Sequence, residues 1–147
     1  MQVYTLGFTQ RTAEDFFGAL RQAGVRRLLD VRLGNVSQLS AFTKRDDLTF
    51  FLRELCGAEY VHEPLLAPTR DMRDAFKRDG GSWAEYERSF LDLLEQRMVE
   101  ERLDPELFAG PTALLCSERQ PSHCHRRLVL EYLQQRWKAV PLEIVHL

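Results

Sequence analysis

Between Cys116 and Arg127 the chain sets two thiols, two imidazoles, one carboxylate and three guanidinium groups within twelve residues, Cys-Ser-Glu-Arg-Gln-Pro-Ser-His-Cys-His-Arg-Arg. Three kinds of chemistry suit that set. The first is anion binding. A helix beginning near Ser122 would offer free backbone N–H groups and the positive end of its dipole to a phosphate or carboxylate. Arg119, Arg126 and Arg127 carry forked donors matched to the same groups. The second is nucleophilic thiol chemistry at Cys116 or Cys124, because a helix N-terminus, neighbouring imidazoles and arginines each favour the thiolate. Spacing removes two versions of it. A cysteine-phosphatase loop needs an arginine six residues after its cysteine, where this chain has Ser122 and Leu130, and the active-site loop of a rhodanese-type sulfur transferase is not matched. The third is metal binding by Cys116, Cys124, His123 and His125, completed by Glu118. No Cys-x-x-Cys pair is present, and adjacent residues 124 and 125 point in different directions on a helix, so no metal is expected.

Each residue also has a plain packing role. Cys116 suits a buried strand, Cys124 the inward face of a helix beside Leu128, and His125 a core imidazole satisfied by a carbonyl. Gathering so many ionisable groups without a purpose costs free energy, which favours a functional cluster. Cys56, beside Leu52 and Leu55, reads as a small buried hydrophobe.

The elements that must position these groups follow from periodicity and punctuation. Gln2 to Leu6 reads as a strand closed by Gly7. Thr12 followed by Asp15 opens a helix to about Ala23, with Phe16, Phe17 and Leu20 on one face and Gly24 beyond its end. Leu28 to Arg32 is a buried strand ending in Asp30 and Arg32, and 33–43 has no clean period and reads as a loop. Leu48, Phe51, Leu52 and Leu55 carry a helix stopped by Gly57. A short strand, Glu59 to His62, precedes Pro64, and a short helix runs near Asp71 to Lys77. Ser82 and Glu85 open a long helix predicted to reach about Arg102. Thr112 to Cys116 is the next strand, Ser122 to Arg136 the next helix, and Leu142 to Leu147 the terminal strand. That order predicts an α/β protein of one domain spanning 1–147, a three-layer Rossmann-like fold with a mostly parallel sheet.

Strand ends on one sheet edge would bring further residues to the segment. Asp30 and Arg32 would act as a pair on the edge that Cys116 occupies, or serve as an ion pair tying strand to loop. Gly7, Phe8 and Arg11 would lie at the end of the first strand, and Phe42, Thr43 and Lys44 in a loop that could close over the cleft. Tyr60, His62, Pro68, Trp83 and Tyr86 could form an aromatic pocket wall, although aromatics at helical spacing are commonly core.

With 147 residues, 44% of them hydrophobic, the chain can bury a core without disulfide or metal staples. A net charge of −2 gives no global attraction to nucleic acid or an anionic membrane. Three unevenly spaced cysteines, no signal-type segment and no membrane-length apolar run predict a cytoplasmic protein with free thiols and no membrane contact. No cofactor motif is present, and nothing in the pattern sets the oligomeric state.

The chain resembles the domain-of-unknown-function 488 family of bacterial and archaeal proteins over nearly its full length. The resemblance rests on Tyr4-Thr5-Leu6-Gly7-Phe8, Leu29-Asp30-Val31-Arg32, Phe42-Thr43-Lys44 and Leu66-Ala67-Pro68. Its most specific part is Leu114-Leu115-Cys116-Ser117-Glu118 with Pro121 and Cys124-His125-Arg126. Phe8 stands where the family often has histidine. The resemblance implies a small α/β fold and no settled reaction. The residues themselves lead to a protein that binds an anionic small molecule or a phosphate-, nucleotide- or nucleic-acid-derived ligand in a Cys/His/Arg cleft, with an enzyme as one form of it. In that reading Cys116, Cys124, His125 and Asp30 are catalytic, and Arg32, Arg126, Glu118, Gly7 and Arg11 bind substrate. A non-catalytic module recognising nucleic acid or a partner protein, and a Cys/His metal-binding protein, are the alternatives.

Overall fold

The computed structural model describes residues 1–118 and 120–147, with Gln38 and Leu39 described in the backbone alone. From the N-terminus the elements are β1 (Gln2–Gly7), α1 (Ala13–Gln22), β2 (Arg27–Asp30), α2 (Arg45–Phe51) and β3 (Glu59–His62). They continue through α3 (Arg70–Lys77), α4 (Trp83–Gln96), α5 (Val99–Arg102), β4 (Thr112–Cys116), α6 (His125–Arg136) and β5 (Glu143–His146). The five strands are ordered β3-β2-β4-β1-β5, and every pairing is parallel. The expected Rossmann-like α/β architecture is therefore present, with a sheet that is entirely parallel.

Alternation along the strands divides the core in two. Val3, Leu29, Val31, Leu114 and Cys116 pack with Phe90 and Leu94 of α4 and Leu128 and Val129 of α6. Leu6, Leu28, Ala113 and Leu115 pack on the other face with Phe16, Phe17 and Leu20 of α1 and Leu48 of α2. Central strand β4 is buried at every residue, the continuous apolar run expected of a parallel strand covered on both sides.

Local signals fix the helix starts. Thr12 and Ser82 accept hydrogen bonds through their side chains from the backbone N–H of Asp15 and Glu85, each at 3.1 Å. Ser82→Ala is expected to cost about 1 kcal/mol, the usual loss for an N-cap hydroxyl. A urea midpoint lowered at unchanged m would show it, and an unchanged midpoint would deny the cap any net contribution.

Three boundaries depart from the sequence expectation. The long helix does not run to Arg102: α4 ends at Gln96, Met98 turns left-handed at φ 54°, and α5 follows. Arg97 holds that break by donating to the carbonyls of Leu65 and Ala67 at 2.8 and 2.7 Å. The kink leaves Met98 exposed and buries Val99. The last helix begins at His125 rather than Ser122, because a turn through Pro121 and Cys124 intervenes, closed by Cys124 N–H to Pro121 O at 3.2 Å. Within the expected 33–43 loop lie two short 3₁₀ turns, Gln38–Thr43, separated by a kink at Ala41, whose φ is 50°.

Connections leave the two central strands in opposite directions. From β1 the chain passes through α1 toward β2, and from β4 it passes through α6 to β5, on the other face and past the other side of β1. The crevice between the C-terminal ends of β1 and β4 is thus a topological switch point, the place where open parallel sheets bind ligands. Gly7 and Cys116 are the register partners at its floor.

Candidate functional site

The site is built by the turn that follows Cys116. A Cβ at Gly7 would lie 1.6 Å from the Glu118 carbonyl oxygen and 2.8 Å from a guanidinium nitrogen of Arg126, so this segment crosses directly over the end of β1. Arg126 donates to the same Glu118 carbonyl, and Thr9 N–H donates to Ser117 O at 3.0 Å. Folded back in this way, the segment brings the backbone N–H groups of Ser117 and Glu118 near the Cys116 sulfur, where they favour its charged form.

Helix α6 supplies the other half. His125 Nε2 lies 2.7 Å from the Val31 carbonyl, and its Nδ1 lies 3.5 Å from Cys116 Sγ. A carbonyl oxygen only accepts, so the hydrogen sits on Nε2 and Nδ1 presents its lone pair to the thiol. Cys124 has extended backbone angles, φ −137° and ψ 138°, at the N-cap. Its side chain therefore converges with that of His125 instead of diverging as on a helix. The two sulfurs and one ring nitrogen of His125 all lie within 4.8 Å of one another, and all three residues are buried.

Charge is distributed unevenly across the pair of thiols. Burial opposes ionisation at Cys116, but hydrogen bonding from Cys124, the positive charge of Arg126 and the N–H groups of Glu118 and Ser117 outweigh it and hold this thiol below its ordinary range. Cys124 is pushed well up by burial and by its bond to Cys116. One sulfur is thus disposed to carry the charge and its neighbour to keep the proton.

Cys116, Cys124 and His125 line one cleft, of about 130 Å³, with Pro68, Phe76, Trp83, Tyr86 and His123 as its apolar and aromatic wall. Trp83 stacks on Tyr86 and on His123 with ring centroids 5.2 and 5.0 Å apart. Arg73 and Lys77 supply cationic lining against the carboxylate of Glu118, and Lys77 and Glu118 are ion-paired. Cys116, Cys124 and His125 could supply three donors to a metal ion. A closed tetrahedral site requires a fourth donor, which the protein does not add among the described residues.

A family model described as domain of unknown function DUF488 matches residues 12–133. The chain belongs to the DUF488 family. No curated protein and no solved structure matches it. The matched span of this DUF488 chain contains β2, β4 and the whole segment from Cys116 to Arg127.

Within the DUF488 chain, the other sequence candidates fall in several places. Arg126 is 1% exposed and does not line the cleft; it supports the Glu118 carbonyl beneath it. Asp30 shares the face of Leu28, opposite the face of Leu114 and Cys116, and is bound by Arg32, whose Nε and Nη2 donate to its two oxygens at 2.9 Å each. Arg32 lines the cleft, yet it also donates to Thr43 Oγ1 and O at 3.0 and 2.7 Å. Glu118 stands at the cleft with its side chain part-exposed. Arg11 lies elsewhere: it donates to the Leu147 carbonyl and lines a separate depression with Gln120, Pro121 and His146. Arg127 pairs with Glu131 at 2.9 Å along α6. Arg119 lies outside the described residues.

Of the expected aromatic wall, Pro68, Trp83 and Tyr86 line the cleft, whereas Tyr60 bonds Asp30 at 2.5 Å and His62 Nε2 meets Arg32 O at 3.0 Å. Phe42 packs against Phe16 and Phe17 on the other side of the sheet. Sequence reasoning passed over Arg73, Phe76 and Lys77 of α3. Their i, i+3, i+4 spacing was the available signal, since it places all three on one helix face. Among the described residues no helix is long and apolar enough to cross a membrane.

Proposed function

We propose that this chain is a thiol-dependent enzyme in which Cys116 attacks a small anionic substrate held in the cleft. One observation carries the reading: Cys116 Sγ meets the Nδ1 lone pair of a histidine whose other nitrogen is anchored on Val31 O, the nucleophile–base–orienter relation of covalent catalysis. His125 takes the thiol proton, and the N–H groups of Ser117 and Glu118 stabilise the resulting charge. The cationic lining from Arg73 and Lys77 favours an anion. The cleft volume falls below the range of about 300–1,000 Å³ typical of drug-sized ligands, which favours a substrate of few atoms or the end of a larger one.

The test is alkylation of the reduced protein, mapped by mass spectrometry, with Cys56 as internal reference. Burial raises Cys56, whereas Cys116 is lowered. The labelling rate of Cys116 should therefore rise at lower pH than the roughly 8.5 of an unperturbed thiol, and Cys116→Ser should abolish that labelling. Anionic iodoacetate should be favoured over neutral iodoacetamide more strongly at Cys116 than at Cys56, a preference that Arg73→Ala and Lys77→Ala reduce. Labelling of Cys116 no faster than that of Cys56 near neutrality would overturn the nucleophile. Equal reagent preference at both sites would overturn the anionic substrate.

A further inference from the structure

A second thiol stands beside the first, and nucleophilic attack by Cys116 alone gives it no task. Cys124 Sγ lies within 4.8 Å of Cys116 Sγ, Cys124 lines the same cleft, and it is 2% exposed. We propose that Cys116 and Cys124 form a redox-active dithiol that reduces a small hydroperoxide entering the cleft. This rests on the reading of Cys116 as the reactive thiol.

The geometry assigns the two roles. Cys116 is disposed to be the attacking sulfur, because its Sγ lies 3.5 Å from His125 Nδ1 and the nearby Arg126 charge favours its anion. Cys124 keeps its proton and waits within reach as the resolving thiol. It belongs to the N-cap, in extended backbone, and not to the body of α6. Bringing the two sulfurs to the bond length of about 2.05 Å therefore requires no helical turn to unwind. The cleft of about 130 Å³ has room for a small peroxide beside the two sulfurs.

The chemistry balances in two steps. The Cys116 thiolate sulfur attacks the terminal peroxide oxygen and the O–O bond breaks. The leaving alkoxide or hydroxide takes the proton held by His125 and departs as alcohol or water, leaving Cys116 as a sulfenic acid. The Cys124 sulfur then attacks the Cys116 sulfur and the S–O bond breaks. The hydroxide leaves with the Cys124 proton as water, and an S–S bond joins the two residues. Two thiols lose two electrons and the peroxide gains two. An external thiol reductant returns the pair to its starting state.

The experiment treats the reduced full-length chain with stoichiometric hydrogen peroxide and maps thiols and cross-links on peptides. Two of the three thiols should disappear together, with a single cross-link joining Cys116 to Cys124 that dithiothreitol reverses. Cys56→Ser should behave identically. In Cys124→Ser, dimedone should instead trap a sulfenic acid at Cys116, with no cross-link. The wild-type map is decisive even if that variant does not fold. Fast alkylation of Cys116 without the 116–124 cross-link would overturn the dithiol and leave the nucleophile standing. A Cys116 inert to both alkylation and peroxide would overturn both, as would purified protein carrying a stoichiometric metal ion that blocks the two thiols.

Discussion

Asp30→Ala should destabilise the chain by about 3–5 kcal/mol, the cost of stripping the partner from a buried charge. Both side chains of the Asp30–Arg32 pair are essentially inaccessible, at 0% and 2%. Besides the two side-chain bonds from Arg32, Asp30 accepts the Arg32 backbone N–H at 3.1 Å and the Tyr60 hydroxyl at 2.5 Å. Removing the carboxylate leaves the guanidinium with the two Thr43 oxygens as hydrogen-bond acceptors among the described residues and leaves the Tyr60 hydroxyl without its acceptor. Against a typical domain stability of about 5–15 kcal/mol the loss is large. Urea unfolding measures it. The double variant Asp30→Ala, Arg32→Met should recover much of the loss, because an apolar replacement of a whole buried pair is often close to neutral. Asp30 faces the α1 and α2 side of the sheet, so Cys116 labelling in the folded Asp30→Ala protein should persist. Retained stability with lost Cys116 labelling would reverse this assignment and place Asp30 in the reacting site.

Gly7→Ala should cost about 3 kcal/mol or more and should also disarm Cys116. The added Cβ would meet the carbonyl oxygen and carbon of Glu118 at 1.6 and 2.5 Å. Those are backbone atoms and cannot rotate away, so the segment after Cys116 must lift from β1. Its displacement takes the Ser117 and Glu118 N–H groups off the sulfur and breaks the Arg126 bond to the Glu118 carbonyl. The midpoint of the Cys116 labelling profile should then move to higher pH, toward that of an ordinary thiol. Gly18→Ala is the matched control: nothing lies within 4 Å of its added Cβ, and an alanine inside α1 should stabilise by roughly 0.5–1 kcal/mol. A Gly7→Ala protein with unchanged stability and labelling profile would show that this close approach has no bearing on the thiol.

The sequence by itself determined the strands, most helix starts and the parallel α/β architecture, because those depend on local periodicity and caps. Val3, Leu28, Leu29 and the run from Thr112 to Cys116 read as strands wherever they lie, and Thr12 and Ser82 announce their helices through bonds made within one turn. The density of Cys116, Cys124 and His125 was equally visible. Their relation was not. Whether residues 124 and 125 diverge or converge depends on where α6 begins, and Pro121 and Cys124 delay that start to His125 by a turn whose closure no apolar period reports. The long helix failed for a similar reason, since the break at Met98 is held by Arg97 reaching carbonyls some thirty residues away.

Face assignment was the other limit. Alternation says that Asp30 and Cys116 lie on a strand, but only the register of β2 against β4 puts their side chains on opposite sides of one sheet. Arg126 illustrates the same point. A guanidinium in a cationic segment suggests a ligand contact, yet tertiary packing buries it against the Glu118 carbonyl, where it acts on Cys116 through charge and through the shape of the turn. Local sequence therefore chose the elements and supplied the reactive groups. The tertiary structure decided which groups meet, because hydrogen bonds and burial between distant segments are satisfied only once the sheet has assembled.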